Sequence, residues 1–475
     1  MVELERRGVP TVVFTAEAFV HDARQSARTF GVAGLPLAVV PFPFSNQSAE
    51  RIHKMAEASF EEVVAGLTRE VQAPPAWTGR PEVVEKRLPV LGCGPQECEL
   101  GPNGGLRISE EKLVFEGEDL LDAWETMNRR FLEYGWGDGF PLAPPTFRAV
   151  EEMLRGTSRS PDELIATLEP GFGKGTVQKI AVNAVMAGCQ AGHLPVLIAA
   201  VQCLAKPEIN LRNKAMSTGS HAPLILVNGP QAKALKINAG SCALGPGAPS
   251  AANTVLGRAL RLIMMNIGHT YPGVSDMDTI GSPTKYSLCV AENEDRNPWD
   301  PYHVDKGYPR DASTVTVHFV YGLCELFDFM NHLPERLIEV FATAATNVAQ
   351  VGTGLWLLGR RADPRHKTEE KEHNLLLLCP EHAQVFAKAG WSKRVLREAL
   401  YRAARMPFKT LMLNKEAKAM AAAHPNLSWL WDNPDVLLPV VETPECFEIA
   451  VVGGAAGRGA YFYGAGGPVT MPMEA

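Results

Sequence analysis

The first fifteen residues constrain the fold of this chain more than any other stretch. Val2-Glu-Leu-Glu-Arg-Arg7 reads as the charged last turn of a helix, followed by Gly8 and Pro10. A glycine just past a helical turn fits a left-handed C-cap, and the proline prevents the helix from continuing. Thr11-Val-Val-Phe-Thr15 is short, β-branched and apolar, as a buried strand of an α/β sheet is. A chain that opens on the end of a helix and passes into such a strand predicts that part of the sheet lies outside it.

Strand, helix, strand and helix then follow in order, over Thr11–Thr15, Ala16–Phe30, Leu37–Val40 and Ser48–Val71. This order predicts a parallel pair with a right-handed crossover. In the last helix Ile52, Met55, Ala56, Phe60, Val63, Val64 and Leu67 fall at a helical period, which predicts one buried face. Residues 1–72 therefore read as a small, incomplete parallel-sheet unit of Rossmann-like type. Residues 73–118 are rich in proline and glycine and read as a linker or arm.

Residues 119–475 read as one larger α/β domain. Its predicted helices are Leu121–Leu132, Thr146–Arg155, Val177–Ala187, Pro195–Leu204, Ala251–Ile267, Pro334–Ala349 and Lys393–Ala404. Its predicted strands are Leu224–Val227, Thr314–Val320, Leu375–Leu378 and Glu448–Val452. Leu224–Lys233 and Leu375–Gln384 resemble each other, each an apolar strand running through a turn into a helix, and suggest an internal pseudo-repeat. The fold class expected is α/β throughout.

The formal net charge of -7 provides no basic footprint, so nucleic acid is not an expected partner. No apolar run approaches the roughly 20 residues of a membrane span, and no secretory signal is visible. The expectation is a cytoplasmic protein with no membrane partner. The 9 cysteines are odd in number and irregularly spaced, which argues against a disulfide framework. Cys203 and Cys379, set in aliphatic surroundings, read as buried thiols with a packing role.

Leu4-Glu-Arg-Arg-Gly-Val-Pro-Thr-Val-Val13, with Ala18-Phe19 and Val39-Val-Pro41-Phe-Pro43, resembles the second half of the UGSC domain. The resemblance implies a thiol or selenol protein with a Sec/Cys-Gly-Ser-Cys motif just upstream of the matching segment, a motif this chain does not contain. Three explanations stay open: a gene start placed after a selenocysteine codon, a separately encoded small subunit, or loss of the redox site. Gly135-Trp-Gly-Asp-Gly-Phe-Pro141, Ala181–Cys189, Pro223–Pro230, Gly257–Leu262, Ala291-Glu-Asn-Glu294 and Gly390-Trp-Ser-Lys393 resemble a domain that accompanies UGSC domains. The implied chemistry is redox or carbon–heteroatom bond chemistry, and the resemblance assigns no catalytic residue present here.

The residues themselves suggest several candidates. Cys93 and Cys98 flank a Gly94-Pro95 turn and form a possible redox pair, although redox pairs commonly have two intervening residues. Glu169-Pro-Gly-Phe-Gly-Lys-Gly-Thr176 is glycine-rich and enters a helix, which suits an anion or simply a turn. Asn183 is polar within an apolar helix and must hold either a loop or a ligand. Ser217, Ser220 and His221 precede a strand, and Asn238–Gly247 follows it. Both loops are small, polar and glycine-rich, as a backbone-lined pocket would be, with Asn253 and Arg258 on the next helix.

Cys242, set among glycines, is the best thiol of this domain. Glu292, Glu294, His303 and Glu381-His382 are acid/base or metal-ligand candidates, although no His-Glu-x-x-His helix is present. Arg458 follows a glycine turn suited to a carboxylate or phosphate.

Cys242, Glu292 and His303 are thus the expected catalytic groups. Asn183, Ser217, Ser220, His221, Asn253, Arg258 and Arg458 are the expected substrate contacts. The expected function is a subunit or truncated form of a thiol- or selenol-dependent enzyme acting on a small anionic substrate, whose cofactor the sequence leaves open. The alternatives are a non-catalytic binding or scaffolding subunit and a thiol-independent hydrolase or lyase. The expected partners are the small-molecule substrate and either a UGSC-motif subunit or a second copy of the chain.

Overall fold

A computed structural model describes residues 8–17, 34–41, 49–68, 113–245, 250–347, 371–411, 427–455 and 457–474, with positions 4, 5, 20, 23, 24, 27 and 32. The Cys93–Cys98 pair and nearly all of the expected linker lie outside the described residues. The chain divides into two compact units. One comprises Met1–Gly188, Ala215–Thr218 and Leu262–Thr279, the other Cys189–Lys214, Gly219–Arg261 and Ile280–Ala475.

In the first unit, β1 (Val13–Ala16) pairs in parallel with β2 (Leu37–Val40), Val13 opposite Leu37, as the strand–helix–strand order requires. Helix α1 (Ala49–Thr68) lies close to this pair at Gly66, where a Cβ would come within 2.6 Å of Val12 Cγ2. Its apolar stripe is not the buried face the period predicts. Ser59 is buried, whereas Ile52, Phe60, Val64 and Leu67 are exposed.

Helix α2 (Leu120–Glu133) is capped by the Asp119 carboxylate, and α3 (Phe147–Leu154) by the Thr146 hydroxyl. The glycine-rich segment Glu169–Thr176, expected to suit an anion or a turn, forms the turn and second strand of a hairpin, β3 (Leu164–Leu168) antiparallel to β4 (Gly173–Thr176). Its glycines answer to packing: a Cβ at Gly171 would meet the His269 ring, and one at Gly173 the Ile267 carbonyl. Thr176 caps α4 (Val177–Ala187), which ends at Gly188 with φ of 87°.

The second unit is built on a mixed sheet. Its elements are α5 (Leu194–Leu204), β5 (Ala222–Asn228), α6 (Pro230–Ala234), the N-terminal part of α7 (Ala252–Asn266), β6 (Cys289–Ala291), α8 (Tyr302–Asp305) and β7 (Thr314–Phe327). Then come α9 (Pro334–Ala345), β8 (Asn374–Leu378), α10 (Pro380–Lys388), α11 (Lys393–Ala403), the short antiparallel pair β9 (Arg405–Pro407) and β10 (Leu437–Pro439), β11 (Phe447–Val451), β12 (Arg458–Gly464) and β13 (Val469–Pro472).

Among the described residues the main sheet runs β11-β8-β12-β7-β5-β6, with β13 also on β7. The two halves match. β5 is parallel to β6 and antiparallel to β7, while β8 is parallel to β11 and antiparallel to β12. β7 and β12 join the halves antiparallel to each other. The similar segments that begin at Leu224 and Leu375 are thus the central strands of two equivalent three-stranded halves.

The sheet curls until its edges meet: Asn293 N–H, just after β6, donates to the Val451 carbonyl at the end of β11 at 2.8 Å. Alternate strand residues consequently form two separate cores. Leu224, Leu226, Val290, Val320, Leu375, Leu377, Ala450 and Phe462 pack together on the inner face. Leu376, Leu378, Ile449, Val451 and Tyr461 pack outward with Phe341, Phe386 and Leu396 of the surrounding helices. Among the described residues no single helix is long and apolar enough to cross a membrane.

Candidate functional site

Polar side chains enter the apolar inner face at two places in the second unit. Glu448 lies on the same side of β11 as Ala450 and is buried. A carboxylate there requires donors, and three supply them. The Tyr302 hydroxyl reaches Oε2 at 2.9 Å, Lys306 Nζ reaches both oxygens at 2.8 and 2.9 Å, and His373 Nδ1 lies 2.8 Å from Oε1. Burial acts to raise the Glu448 pKa, but Lys306 and His373 outweigh it and hold the carboxyl well below the usual carboxylate range.

Three segments converge to make this cluster. His373 immediately precedes β8, Tyr302 opens α8, and Lys306 follows its last turn. On β7, beyond β12 in the sheet, His318 Nε2 lies 3.2 Å from the Gly466 carbonyl. A carbonyl only accepts, so Nε2 carries the proton and Nδ1 is left buried without a hydrogen-bond partner among the described residues. Burial lowers the His318 pKa to about 4, so the ring is neutral. Gly464 leaves no room for a side chain, since a Cβ would collide with the His373 carbonyl and come within 2.7 Å of His318 Nε2. The Gly464–Gly467 turn thus packs against His373 and His318, and the cluster reaches solvent at His373 and Lys306, 22% and 28% exposed.

An imidazole whose Nδ1 is tied to a buried carboxylate is fixed in orientation and presents Nε2 as a proton acceptor. This is the arrangement of a base and its orienting acid.

The second polar place is the junction of the sheet edges. Glu292 Oε2 accepts from Asn228 Nδ2 and Tyr302 N–H, each at 2.6 Å, and Oε1 from Asn297 Nδ2 at 3.0 Å and Val451 N–H at 3.2 Å. Burial raises its pKa, against the pull of Lys393 and these donors. Glu294 Oε1 accepts from Asn228 Nδ2 at 3.0 Å and Gly229 N–H at 2.7 Å, and lies 3.8 Å from Nδ1 of the buried His303. The structure therefore brings Glu292 and His303 into one network through Asn228 and Glu294. Both oxygens of Glu292 are taken up in closing the sheet.

The other expected residues lie as follows. Cys242 is exposed, with a left-handed backbone at φ of 56°. Its loop is held by Asn253, which accepts from Asn238 N–H at 2.7 Å and donates to the Asn238, Ala243 and Cys289 carbonyls. That spends the Asn253 amide on the loop. Asn183, in the first unit, accepts from Asn266 Nδ2 at 2.7 Å and donates to the Lys179 carbonyl at 2.9 Å, so it holds neighbouring structure. Ser217 falls in the first unit, and Ser220 and His221 in the second, all half-buried.

The His221 ring meets Tyr321 edge-on at 5.2 Å, and burial with the Lys214 charge lowers its pKa to about 4. Arg258 is half-buried near the Cys189 thiol, which burial raises. Arg458 opens β12, pairs with Glu325 at 2.9 Å and covers the Phe327 ring at 4.4 Å, so it serves a cross-strand contact. Among the described residues no group of three or more His, Cys, Asp or Glu side chains is arranged to hold a metal ion.

Sequence reasoning did not single out Glu448, His373, Lys306, His318 or Tyr302. The signal present was a charged residue at an inner position of an otherwise apolar strand, in Phe447-Glu-Ile-Ala-Val451, and a histidine likewise in Val315-Thr-Val-His-Phe319.

No curated protein and no solved structure matches this chain. The stretch that carries the sequence resemblance does find a counterpart: residues 1–69 match the model of the UGSC family.

Proposed function

We propose that the curled-sheet unit is an acid–base enzyme acting on a small anionic substrate, with His373 as the base and Glu448 as the carboxylate that orients it. The observation that carries this reading is the 2.8 Å contact between His373 Nδ1 and a carboxylate buried among apolar strands. Holding a charge there is costly unless it is fully paired, and the pairing fixes a half-exposed imidazole at the mouth of the cluster. Lys306 beside it supplies positive charge for an anionic group. Thiol-independent hydrolysis or elimination is the reaction class that uses these groups.

A second reading is favoured by the UGSC match over residues 1–69. In it the chain is one part of a thiol- or selenol-dependent redox or carbon–heteroatom enzyme, and a UGSC-motif subunit supplies the missing group. Both readings take a cytoplasmic setting, supported by the acidic net charge and the lack of a spanning helix among the described residues.

The test is a thermal-shift screen of the purified chain against small carboxylates and phosphate esters, followed by turnover assays on the hits by NMR. The expected result is turnover by the unaltered chain and a loss of about 100-fold or more in His373→Gln, with binding retained. Turnover unchanged in His373→Gln would overturn the acid–base reading. Turnover only after addition of a Cys-Gly-Ser-Cys polypeptide would favour the second.

A further inference from the structure

Strand β7 is longer than its neighbour β5. The two pair from Thr314 opposite Asn228 to Val320 opposite Ala222, and β7 then continues to Phe327 with β12 on its other side. Among the described residues no strand pairs with this extension on the β5 side. The hydrogen-bond phase shows what the open edge offers. Asp328 N–H donates to the Gly457 carbonyl at 3.0 Å, so residues 328 and 457 stand at a hydrogen-bonding position of the ladder. Antiparallel pairs alternate, so Phe327, Glu325 and Leu323, opposite Arg458, Ala460 and Phe462, turn their N–H and carbonyl groups away from β12 and toward the open edge.

The side chains of these three residues share one face. Leu326 packs outward with the helices, whereas Phe462 and Ala460, directly across from Leu323 and Glu325, pack with the inner core. The inner core therefore runs out to the surface at this end of the sheet. Leu323 and Phe327 are 50% and 51% exposed, and Phe329, Met330 and Leu333 just beyond are 57%, 76% and 61% exposed. The Phe327 and Phe329 rings meet edge-on at 4.9 Å. The turn that presents them is firmly held. The Asp328 carboxylate accepts from the Met330 and Asn331 N–H groups, each at 2.9 Å, and His382 Nε2 donates to the Asp328 carbonyl at 2.5 Å.

We infer that this edge is a homodimer interface, in which β7 of one chain pairs antiparallel with β7 of a second copy and the apolar side chains around it meet. Identical antiparallel strands are related by a two-fold axis, so the outward N–H and carbonyl groups of Leu323, Glu325 and Phe327 satisfy those of the other copy. The area suffices. A Phe side chain buries about 150–250 Å², so five apolar residues exposed by half or more present on the order of 500 Å². Two such patches together bury on the order of 1,000 Å², about what a specific interface requires, before the strand backbones are counted. The charge fits as well. Glu325 pairs with Arg458 at 2.9 Å, so the two charges on this face neutralise each other and suit a second neutral surface better than an acidic or basic partner. An edge left free is commonly blunted by lysine or proline, and Tyr321-Gly-Leu-Cys-Glu-Leu-Phe327 contains neither. No residue of this surface belongs to the His373–Glu448 cluster, so the dimer and the acid–base chemistry stand or fall separately.

The experiment measures the mass of the intact chain by sedimentation equilibrium from about 1 to 100 μM, with hydrogen–deuterium exchange on the same samples. A dimer is expected, with a dissociation constant raised about tenfold or more in Leu323→Lys, which sets an ammonium in the apolar face. Leu164→Lys, at a residue also 50% exposed but on β3, is expected to leave it unchanged. Peptides covering Leu323–Phe327 are expected to exchange more slowly as the dimer fills, because their outward N–H groups gain acceptors there. Three results would overturn the inference: a chain that stays monomeric over the whole range, a dimer weakened no more by Leu323→Lys than by Leu164→Lys, or dimerisation that leaves exchange over Leu323–Phe327 unchanged.

Discussion

The Tyr302 hydroxyl donates to Glu448 at 2.9 Å, while the backbone N–H of the same residue donates to Glu292 at 2.6 Å. One residue thus ties the carboxylate that closes the sheet to the carboxylate that orients His373. Its ring belongs to the apolar inner core between them. Removing only the hydroxyl, in Tyr302→Phe, leaves Glu448 with Lys306 and His373 and leaves Lys306 over the ring at 5.0 Å. A hydrogen bond to a buried charge is worth about 2 kcal/mol, so the urea midpoint is expected to fall accordingly with an unchanged slope. An unmoved midpoint would mean that Lys306 and His373 satisfy Glu448 by themselves.

The inner histidine gives stability a pH dependence of definite sign. His318 has a folded pKa of about 4 against an ordinary 6.5, so between these values the unfolded chain binds the extra proton. Its contribution is complete above the ordinary value and declines as pH falls, by at most about 1.4 kcal/mol per pH unit. Glu448, also depressed, adds loss of the same sign further into acid, and Glu292, raised, works in the opposite direction. Melting temperatures are expected to drop steadily from about pH 6.5 to pH 4. In His318→Gln, whose amide can donate to Gly466, that slope is expected to flatten. An equal slope in both proteins would remove His318 from the account.

The sequence made some of this visible and hid the rest for physical reasons. Strands β5, β8 and β11 are buried on both faces and so read as continuous apolar runs, Leu375–Leu378 most plainly. The bounds of α4 were equally legible, since the predicted helix Val177–Ala187 is the one observed. β12 was not, because Tyr461-Phe-Tyr463 sits between glycines near the end of the chain and resembles a loose tail. β3 and β4 were hidden because glycines needed for close packing on His269 look like a flexible turn. The base and its carboxylate were hidden by distance along the chain. His373 and Lys306 lie 75 and 142 residues from Glu448; pairing of β8 with β11 brings the first beside it, and the end of α8 brings the second.

Asn253 offers a test of how the Cys242 loop is held. Its amide makes four hydrogen bonds to backbone groups, three of them to residues 238 and 243 on either side of the loop centre. Asn253→Ala strands buried carbonyls at Ala243 and Cys289 and frees the loop, at a cost of about 2–3 kcal/mol. Amide exchange is expected to accelerate over Asn238–Leu244 and not in β8. Uniform acceleration through both segments would show global destabilisation in place of a released loop.

Gly464 is the position where the sheet and the His373 cluster make the most exacting demand on a single residue. Its N–H donates to Asn374 Oδ1 at 2.9 Å, which fixes the end of β12 against the start of β8. Its missing side chain lets the His373 carbonyl and His318 Nε2 approach from the other direction. An alanine there must displace backbone, since the colliding atom is a carbonyl rather than the end of a flexible chain. Overpacking of this kind costs about 1–3 kcal/mol, and here the strain falls on the residue that carries the base. Gly464→Ala is therefore expected to lower the melting temperature and to shift the His373 imidazole resonances in NMR, whereas Gly390→Ala, at a helix end with φ of 78°, is expected to lower the melting temperature without moving them. Equal perturbation of His373 by both substitutions would show that the Gly464–Gly467 turn does not position the imidazole.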